Sequence, residues 1–99
     1  MKVFREQIEF EWDKGNADKN FKKHKVRNEE CEEVFFDPEK RILRDLLHSG
    51  TEQRRIIIGK TKKQRILFIV FTTRRKKVRV ISARDLNAKE LHLYHEKKS

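Results

Sequence analysis

Two arginines lie in the last predicted strand of the chain, where their chemistry is suited to binding phosphate. The segment from Val78 to Arg84 alternates apolar and polar residues and carries Arg79 and Arg84. A guanidinium in an apolar strand is costly to bury unless it is paired or faces a groove, and its planar fork matches the oxygens of a phosphate. Simple alternation predicts Arg79, Ile81 and Ala83 on one side of the strand and Arg84 on the other.

Cleavage of RNA without a metal would use this kind of surface. It requires a base for the 2′-hydroxyl, an acid for the leaving 5′-oxygen, cations for the phosphorane and groups that hold the nucleotide in line. The side chains suited to these roles are Lys23, His24, Arg79, Arg84, Tyr94 and His95. Two interpretations stay open from the residues alone. The surface either cuts RNA or holds it by its phosphates without cutting.

Other chemistries find little support in the sequence. His92 and His95 are three residues apart, but no further ligands accompany them, and zinc takes three or four organised ligands. Cys31 lies between two glutamates on an apolar stripe, which favours core packing over a reactive thiol. The glycines stand alone, so no phosphate-binding glycine loop is present. We therefore expect no metal and no cofactor.

The charge of the chain predicts a polyanionic partner. Lys and Arg number 26 against 16 Asp and Glu, a net charge of +10 in 99 residues. Residues 40–84 hold fifteen basic groups against two acidic ones, whereas residues 29–39 hold six acidic groups and no basic one. The acidic block is interpreted as a solvated helix face or as part of a protein contact. No secretory signal or transmembrane run is visible, and a single cysteine fits a reducing compartment, so we expect a cytoplasmic protein that does not bind membranes.

Hydrophobic periodicity predicts one α+β domain over residues 1–99. The predicted elements are a strand over 8–12, helices over 17–25 and 29–36, strand candidates over 42–47, 55–60, 66–71 and 78–84, and a last helix over 88–97. We summarise their order as β-α-α-β-β-β-α, with a twisted antiparallel sheet packed by the helices. Ala17, Phe21 and His24 are expected to share one face of the first helix, which favours packing of His24 against the sheet over a role as general base. Asn28 is expected to cap the second helix, and Asn87 with Glu90 to open the last one.

Five segments in this order resemble the BrnT toxins, the ribonucleases of type II toxin–antitoxin modules. They are Phe10-Glu11-Trp12-Asp13, Asn20 to His24 with Val26, Glu33 to Pro38, Glu52 to Gly59 and Val78 to Arg84. The resemblance spans about residues 8–96 and implies a RelE-like fold. It also implies an RNA-cleaving activity that blocks translation. The implied partners are RNA, a BrnA-type ribbon-helix-helix antitoxin in a hetero-oligomer, and the ribosome.

Site residues follow from the resemblance and the basic pattern together. The resemblance places the family's Lys-His pair at Lys23 and His24, and its strand arginines at Arg54, Arg79 and Arg84. The expected catalytic residues are Arg84, Arg79, His24, Tyr94 and His95, and the expected RNA-binding residues are Lys23, Arg54, Arg65, Arg74 and Arg75.

Three positions depart from the usual family pattern. Lys25 stands where a glycine is usual, Asn16 where a lysine is common, and Asp85 where a second basic residue usually follows Arg84. The last change is expected to place a carboxylate beside the Arg84 guanidinium and weaken its contact with phosphate. A degenerate toxin that acts only as an antitoxin-binding partner therefore stays open as an alternative to the nuclease, beside a non-catalytic RNA- or ribosome-binding domain.

Overall fold

A computed structural model of the chain describes residues 8–44 and 53–95. The strands are β1 (Glu9–Phe10), β2 (Arg41–Arg44), β3 (Arg55–Lys60), β4 (Ile66–Arg74) and β5 (Lys77–Asp85), and the helices are α1 (Lys19–His24), α2 (Asn28–Val34) and α3 (Leu91–His95), which a 3-10 turn (Ala88–Glu90) precedes. Every predicted element is present. Residues 45–47 of the predicted strand 42–47 and residues 96–97 of the predicted last helix lie outside the described residues.

One five-stranded sheet joins all the strands in the order β1-β5-β4-β3-β2. Strands β2 to β5 pair antiparallel with their neighbours, but β1 pairs parallel with β5. The predicted order was therefore wrong by one strand, because the short segment at Arg41–Arg44 does form an edge strand. The wholly antiparallel sheet was also wrong. The chain leaves β1 through two helices and three strands, and this long connection permits parallel pairing.

The core lies between one face of the sheet and helices α1 and α2. Alternate residues of β4, Leu67, Ile69 and Phe71, point into it and are buried. Phe35 joins them through an edge-on contact with the Phe71 ring, at 5.0 Å between centroids. Gly59 of β3 permits close approach of α2, because a Cβ there would lie 2.7 Å from a methyl of Val34. Cys31 is buried in this core, as predicted.

A β-bulge in β5 changes the facing of its residues. On β4, Val70 pairs with Ser82 but its neighbour Phe71 pairs with Val80, so Ile81 has no partner on β4. The alternation of side chains is shifted by one residue at this point. Simple alternation was therefore wrong for this strand, and Arg79 and Arg84 lie on the same face.

Helix α1 buries a different residue from the one predicted. Asn20 is buried, and its Oδ1 accepts a 2.9 Å hydrogen bond from the backbone N–H of Ala83 in β5. Phe21 and His24 are both exposed. The predicted stripe of Ala17, Phe21 and His24 was wrong because a polar contact with the sheet, and not an apolar one, orients this short helix.

The acidic block ties α2 to the rest of the molecule. Glu32 accepts a hydrogen bond from the indole of Trp12, Glu33 accepts one from the backbone of Lys62, and Glu30 accepts one from the backbone of Arg27. The solvated-face interpretation was therefore wrong for these carboxylates. The last of these bonds also places the helix start one residue before the predicted cap, since Arg27, not Asn28, is the N-cap residue.

The start of the terminal helical segment is confirmed as predicted. Asn87 Oδ1 accepts from the backbone N–H of Glu90 at 3.0 Å, and Glu90 Oε1 accepts from that of Asn87 at 3.1 Å. This reciprocal capping box satisfies two backbone donors at the helix start.

Lys25 ends α1 in a left-handed conformation, with φ 58° and ψ 35°. Its backbone N–H bonds to the carbonyl of Phe21 at 2.9 Å, so the strained residue closes the helix. Glycine adopts this conformation without a steric penalty. The usual glycine of the family at this position thus has a physical reason.

Replacing Lys25 by glycine is expected to stabilise the protein. Relief of the left-handed strain outweighs the added freedom of the unfolded chain by about 0.5–1 kcal/mol. Urea unfolding followed by Trp12 fluorescence measures the change. Lys22→Gly, within the helix, is the matched control and should destabilise by a similar amount. Equal losses for both variants would contradict the assignment.

Candidate functional site

Arg79 and Arg84 lie on the sheet face opposite α1 and α2. Arg79 pairs across strands with Thr72, and Arg84 pairs with Phe68, four residues away on the same strand. Residues four apart on a strand share a face. Arg79 and Arg84 therefore share one face of the sheet because of the bulge, whereas simple alternation predicted them on opposite faces.

Arg84 is held between an aromatic ring and a carboxylate. Its guanidinium lies 4.1 Å from the centroid of the Phe68 ring. Its Nη1 and Nη2 donate to the two carboxylate oxygens of Glu90, each at 2.8 Å. This bidentate pair raises the pKa of Arg84, against the effect of partial burial, and lowers the pKa of Glu90. A carboxylate thus occupies the fork that a phosphate would use.

Arg79 is also held by a bidentate carboxylate, which belongs to the loop after β1. Its Nη1 and Nη2 donate to the carboxylate of Asp13 at 2.8 and 2.9 Å, and Nη1 lies 3.5 Å from Glu11 Oε1. The hydrogen bonds to Asp13 raise the pKa of Arg79 and lower that of Asp13. Gly15 permits this arrangement, because a Cβ there would lie 2.9 Å from Arg79 Nη2.

Lys23 and His24 lie on α1, which covers the other face of the sheet, and both are exposed. The imidazole of His24 is close enough to Asp85 at the end of β5 to lower the pKa of that carboxyl, although Arg65 has the larger effect. His24 therefore lies near the end of the strand that carries Arg84, while Lys23 is one residue further from that end.

Tyr94 and His95 end the described part of the chain. Tyr94 is buried, and its hydroxyl donates to Asp37 Oδ2 at 2.6 Å. Burial and this carboxylate both raise the pKa of Tyr94. Asp37 also accepts from the backbone N–H groups of Lys60 and Glu39. Burial raises the pKa of Asp37, but the hydrogen bond from Tyr94 together with these two backbone bonds and the Lys60 charge lowers it overall. His95 is exposed and makes an edge contact with the Tyr94 ring.

Arg65 uses its whole guanidinium within the protein. Nε and Nη2 donate to the carboxylate of Asp85 at 2.6 and 3.1 Å. Nη1 donates to Glu30 at 3.0 Å and to the carbonyl of Lys25 at 2.8 Å, while Nη2 donates to the carbonyl of His24 at 3.0 Å. One side chain thereby joins the end of α1, the start of α2 and the end of β5. The Asp85 carboxylate pairs here, so it does not compete for the Arg84 guanidinium as expected.

The remaining predicted RNA-binding residues are spread along the sheet. Arg54 directly precedes β3, and Arg74 and Arg75 lie at the tip of the β4–β5 hairpin. The turn has only two residues, Arg75 and Lys76, with φ of 50° and 69°. Such turns favour Asn-Gly, since both residues must adopt positive φ. The hairpin thus presents exposed basic side chains at a point where the backbone is strained.

The sequence prediction missed the acidic partners of the two strand arginines. Glu11 lies on the polar side of the first predicted strand, but only the parallel pairing with β5 shows that it meets Arg79. Its Oε1 is buried and accepts no hydrogen bond within the described residues. Asn16, buried, donates to the carbonyls of Glu11 and Val80, both at 3.0 Å, and so replaces the usual lysine with a structural amide.

The fold and the site together describe a small basic α+β domain whose sheet carries arginine forks suited to a polyanion. The chain belongs to the BrnT family, the ribonuclease toxins of type II toxin–antitoxin systems, whose family model matches residues 12–90. Membership makes RNA the substrate and implies an antitoxin partner. Comparison with curated proteins gives no match.

None of the helices described is long and apolar enough to cross a bilayer. No group of three or more His, Cys, Asp or Glu side chains lies together in a way that could hold a metal, within residues 8–44 and 53–95.

Replacing Arg65 by lysine is expected to lower the free energy of unfolding by about 2 kcal/mol, because an ammonium cannot reach the carboxylates and carbonyls together. Urea unfolding tests this. Arg75→Lys, at the exposed hairpin tip, is the matched control and should unfold like the parent. If the two variants unfold at the same urea concentration, Arg65 does not have this structural role.

Asp37→Asn is expected to destabilise the protein in a pH-dependent way. The folded-state pKa of Asp37 lies below its unfolded value, so its contribution is full above about pH 4 and is lost as the pH falls through the folded pKa. The variant should be less stable than the parent at neutral pH, with the difference narrowing in acid. Thermal unfolding across this pH range, with Glu39→Gln as control, measures it. A difference independent of pH would refute the assignment.

Proposed function

We propose that this chain is a metal-independent endoribonuclease that cleaves messenger RNA and thereby blocks translation. The observation that supports this most strongly is the shared facing of Arg79 and Arg84, which the bulge at Ile81 produces. Once phosphates displace Glu90 and Asp13 from them, two guanidinium forks on one sheet face can neutralise the charge of nearby phosphates and of a phosphorane. The family shows ribonuclease activity, and the proposal concerns how the residues perform it.

The proposed reaction is an internal transfer followed by release of the 5′ fragment. A base takes the proton from the 2′-hydroxyl, the 2′-oxygen bonds to phosphorus, and the bond from phosphorus to the 5′-oxygen breaks. The 5′-oxygen takes a proton from an acid. The products are a 2′,3′-cyclic phosphate and a free 5′-hydroxyl, and the reaction consumes no other reactant.

We assign Arg84 to the phosphate that is cleaved and Arg79 to a neighbouring one. Their partners on β4, Thr72 and Phe68, are four residues apart, which corresponds to about 13 Å along the strand. This separation favours contact with different phosphates. Arg84 is placed at the cleaved one because both candidate histidines belong to elements at its end of the strand, although His24 lies across the sheet from Arg84. His24 lies near Asp85, and His95 belongs to the helix that Glu90 connects to Arg84.

Proton transfer is assigned to exposed or available groups around these arginines. His24 and His95 have the exposure that a general base or acid needs. We assign Glu11 to holding Arg79, because its Oε1 is buried and lies 3.5 Å from the Arg79 guanidinium. Tyr94 is buried against Asp37, so we assign it a structural role, and we assign Arg65 the same on the contacts above.

The grip on the RNA backbone is assigned to the remaining basic residues. These are Lys23 on α1, Arg54 before β3, and Arg74 and Arg75 at the hairpin tip. They lie at three separate places in the fold, so one extended RNA strand could contact several of them. Phosphate contacts of this kind give binding a strong salt dependence without sequence preference.

The family also supports proposals about fold, partner and location. We propose that the domain has the RelE-like arrangement, that residues 1–99 act as one toxin domain, and that a BrnA-type ribbon-helix-helix antitoxin binds it as a hetero-oligomer. We place its action in the cytoplasm, where messenger RNA and the ribosome are found. Relief of growth arrest on co-expression of such an antitoxin would support the partner.

Arg84→Ala is expected to slow cleavage of a defined RNA by about 10²–10³-fold, because a preorganised cation facing the phosphorane is lost. The assay uses purified chain and excess chelator, with product ends identified as cyclic phosphate and 5′-hydroxyl. RNA affinity should fall far less than the cleavage rate, since other cations still hold the backbone.

Lys40→Ala is the matched control. Lys40 is exposed and directly precedes the edge strand β2, which β3 and β4 separate from β5. Its replacement therefore removes one positive charge at a distance from the site. It should cleave like the parent. If Arg84→Ala and Lys40→Ala cleave equally fast, Arg84 is not catalytic. If the parent cuts neither free RNA nor RNA on translating ribosomes in chelator, metal-independent cleavage is wrong.

A further inference from the structure

Phe21 is an aromatic residue on the surface of α1, with 41% of its area exposed. It is not part of the buried core cluster, and α1 docks on the sheet through the buried Asn20. An exposed phenylalanine loses the stabilisation that burial would give it. A partly exposed ring beside basic side chains suits a binding role more than a packing role.

Positive charge surrounds this ring. The ammonium of Lys25 lies 5.4 Å from the ring centroid, and the guanidinium of Arg27 lies 5.9 Å from it. Further exposed basic side chains of the same helix are Lys19, Lys22 and Lys23. An aromatic face among cations has the composition that single-stranded nucleic acids meet on their binding proteins, with the base on the ring and the phosphates on the cations.

The ring borders a shallow depression of about 290 Å³, lined by Asp18, Phe21, Arg27, Asn28 and Glu29. The carboxylates of Asp18 and Glu29 make the part of the depression that they line unsuitable for phosphate. Phosphates are therefore expected on the side of Lys25 and Arg27. The depression itself offers room for a flat polar group stacked on the ring.

The ring and the catalytic face meet at one end of the molecule. Arg65 bonds to the carbonyls of His24 and Lys25 at the end of α1 and to Asp85 at the end of β5. Asp85 directly follows Arg84, whose side chain lies on the opposite sheet face. An RNA strand bound at Arg84 therefore needs only to pass the end of β5 to reach Phe21.

We infer that Phe21, Lys25 and Arg27 form a second binding site for single-stranded RNA, in which a base stacks on Phe21 and the flanking phosphates contact the two cations. The RNA would bend around the end of β5 and contact both faces of the sheet. This inference rests on RNA as the substrate and is independent of how the proposed nuclease cuts it.

The test measures binding of a fluorescently labelled 2′-O-methyl oligonucleotide of about 10 residues. Its blocked 2′-oxygen prevents cleavage, so the result does not depend on the catalytic proposal. Phe21→Ala and Phe21→Leu should each weaken binding about tenfold, since one stacked base contributes on the order of 1–3 kcal/mol. Phe21→Trp should bind like the parent, and oligonucleotide should quench its emission more than that of the parent, which has only Trp12.

The charges are tested by salt dependence. Lys25→Ala and Arg27→Ala should each reduce the slope of log affinity against log salt by about 0.7, the effect of one lost phosphate contact on a single strand. Lys40→Ala, at the far edge of the sheet, should leave the slope unchanged. Urea unfolding of every variant should match the parent within about 1 kcal/mol, because these side chains are exposed.

Two results would overturn the inference. One is parental affinity in Phe21→Ala together with no quenching in Phe21→Trp. The other is loss of antitoxin binding in Phe21→Ala with RNA binding intact, which would assign the ring to the protein partner. If cleavage assays fail while the Phe21 variants still lose affinity as expected, the second site stands and only the nuclease proposal is wrong.

Discussion

The junction of the end of α1, the start of α2 and the end of β5 depends on one guanidinium. Arg65 directs all its donors inward, to two carboxylates and two backbone carbonyls that belong to α1, α2 and β5. Those carbonyls lie at the end of α1, where a helix leaves its last acceptors without internal partners. The same contact draws Asp85 toward the helices. Asp85 faces that way, and the preceding Arg84 faces the opposite side of the sheet, where Glu90 holds its guanidinium.

Local patterns in the sequence were enough to locate most elements. The apolar runs at Ile56–Ile58 and Ile66–Phe71 predicted the central strands, and the Asn87–Glu90 spacing predicted the start of the terminal helical segment. These features depend on neighbouring residues only. Parallel pairing of β1 with β5, by contrast, joins residues more than sixty positions apart, and no local pattern encodes it.

The site was harder to predict than the fold for the same reason. The sequence identified Arg79 and Arg84 as phosphate-binding candidates from residue type, but their common facing results from an unpaired Ile81 that alternation cannot show. Arg65 has the same type and was grouped with them. Only the tertiary structure shows that its donors are used within the protein. The stripe containing Phe21 failed because periodicity cannot distinguish an aromatic residue that packs from one that remains on the surface.

The unpaired residue in β5 also means that the number of residues in this strand is itself part of the site. Deleting Ile81 would leave every charged side chain in the chain and would restore regular pairing, yet it would turn Arg79 and Arg84 to opposite faces. Two relatives could thus share the same arginines and differ in whether both face the substrate. In this family, an alignment gap at the bulge would carry as much functional meaning as a substitution of either arginine.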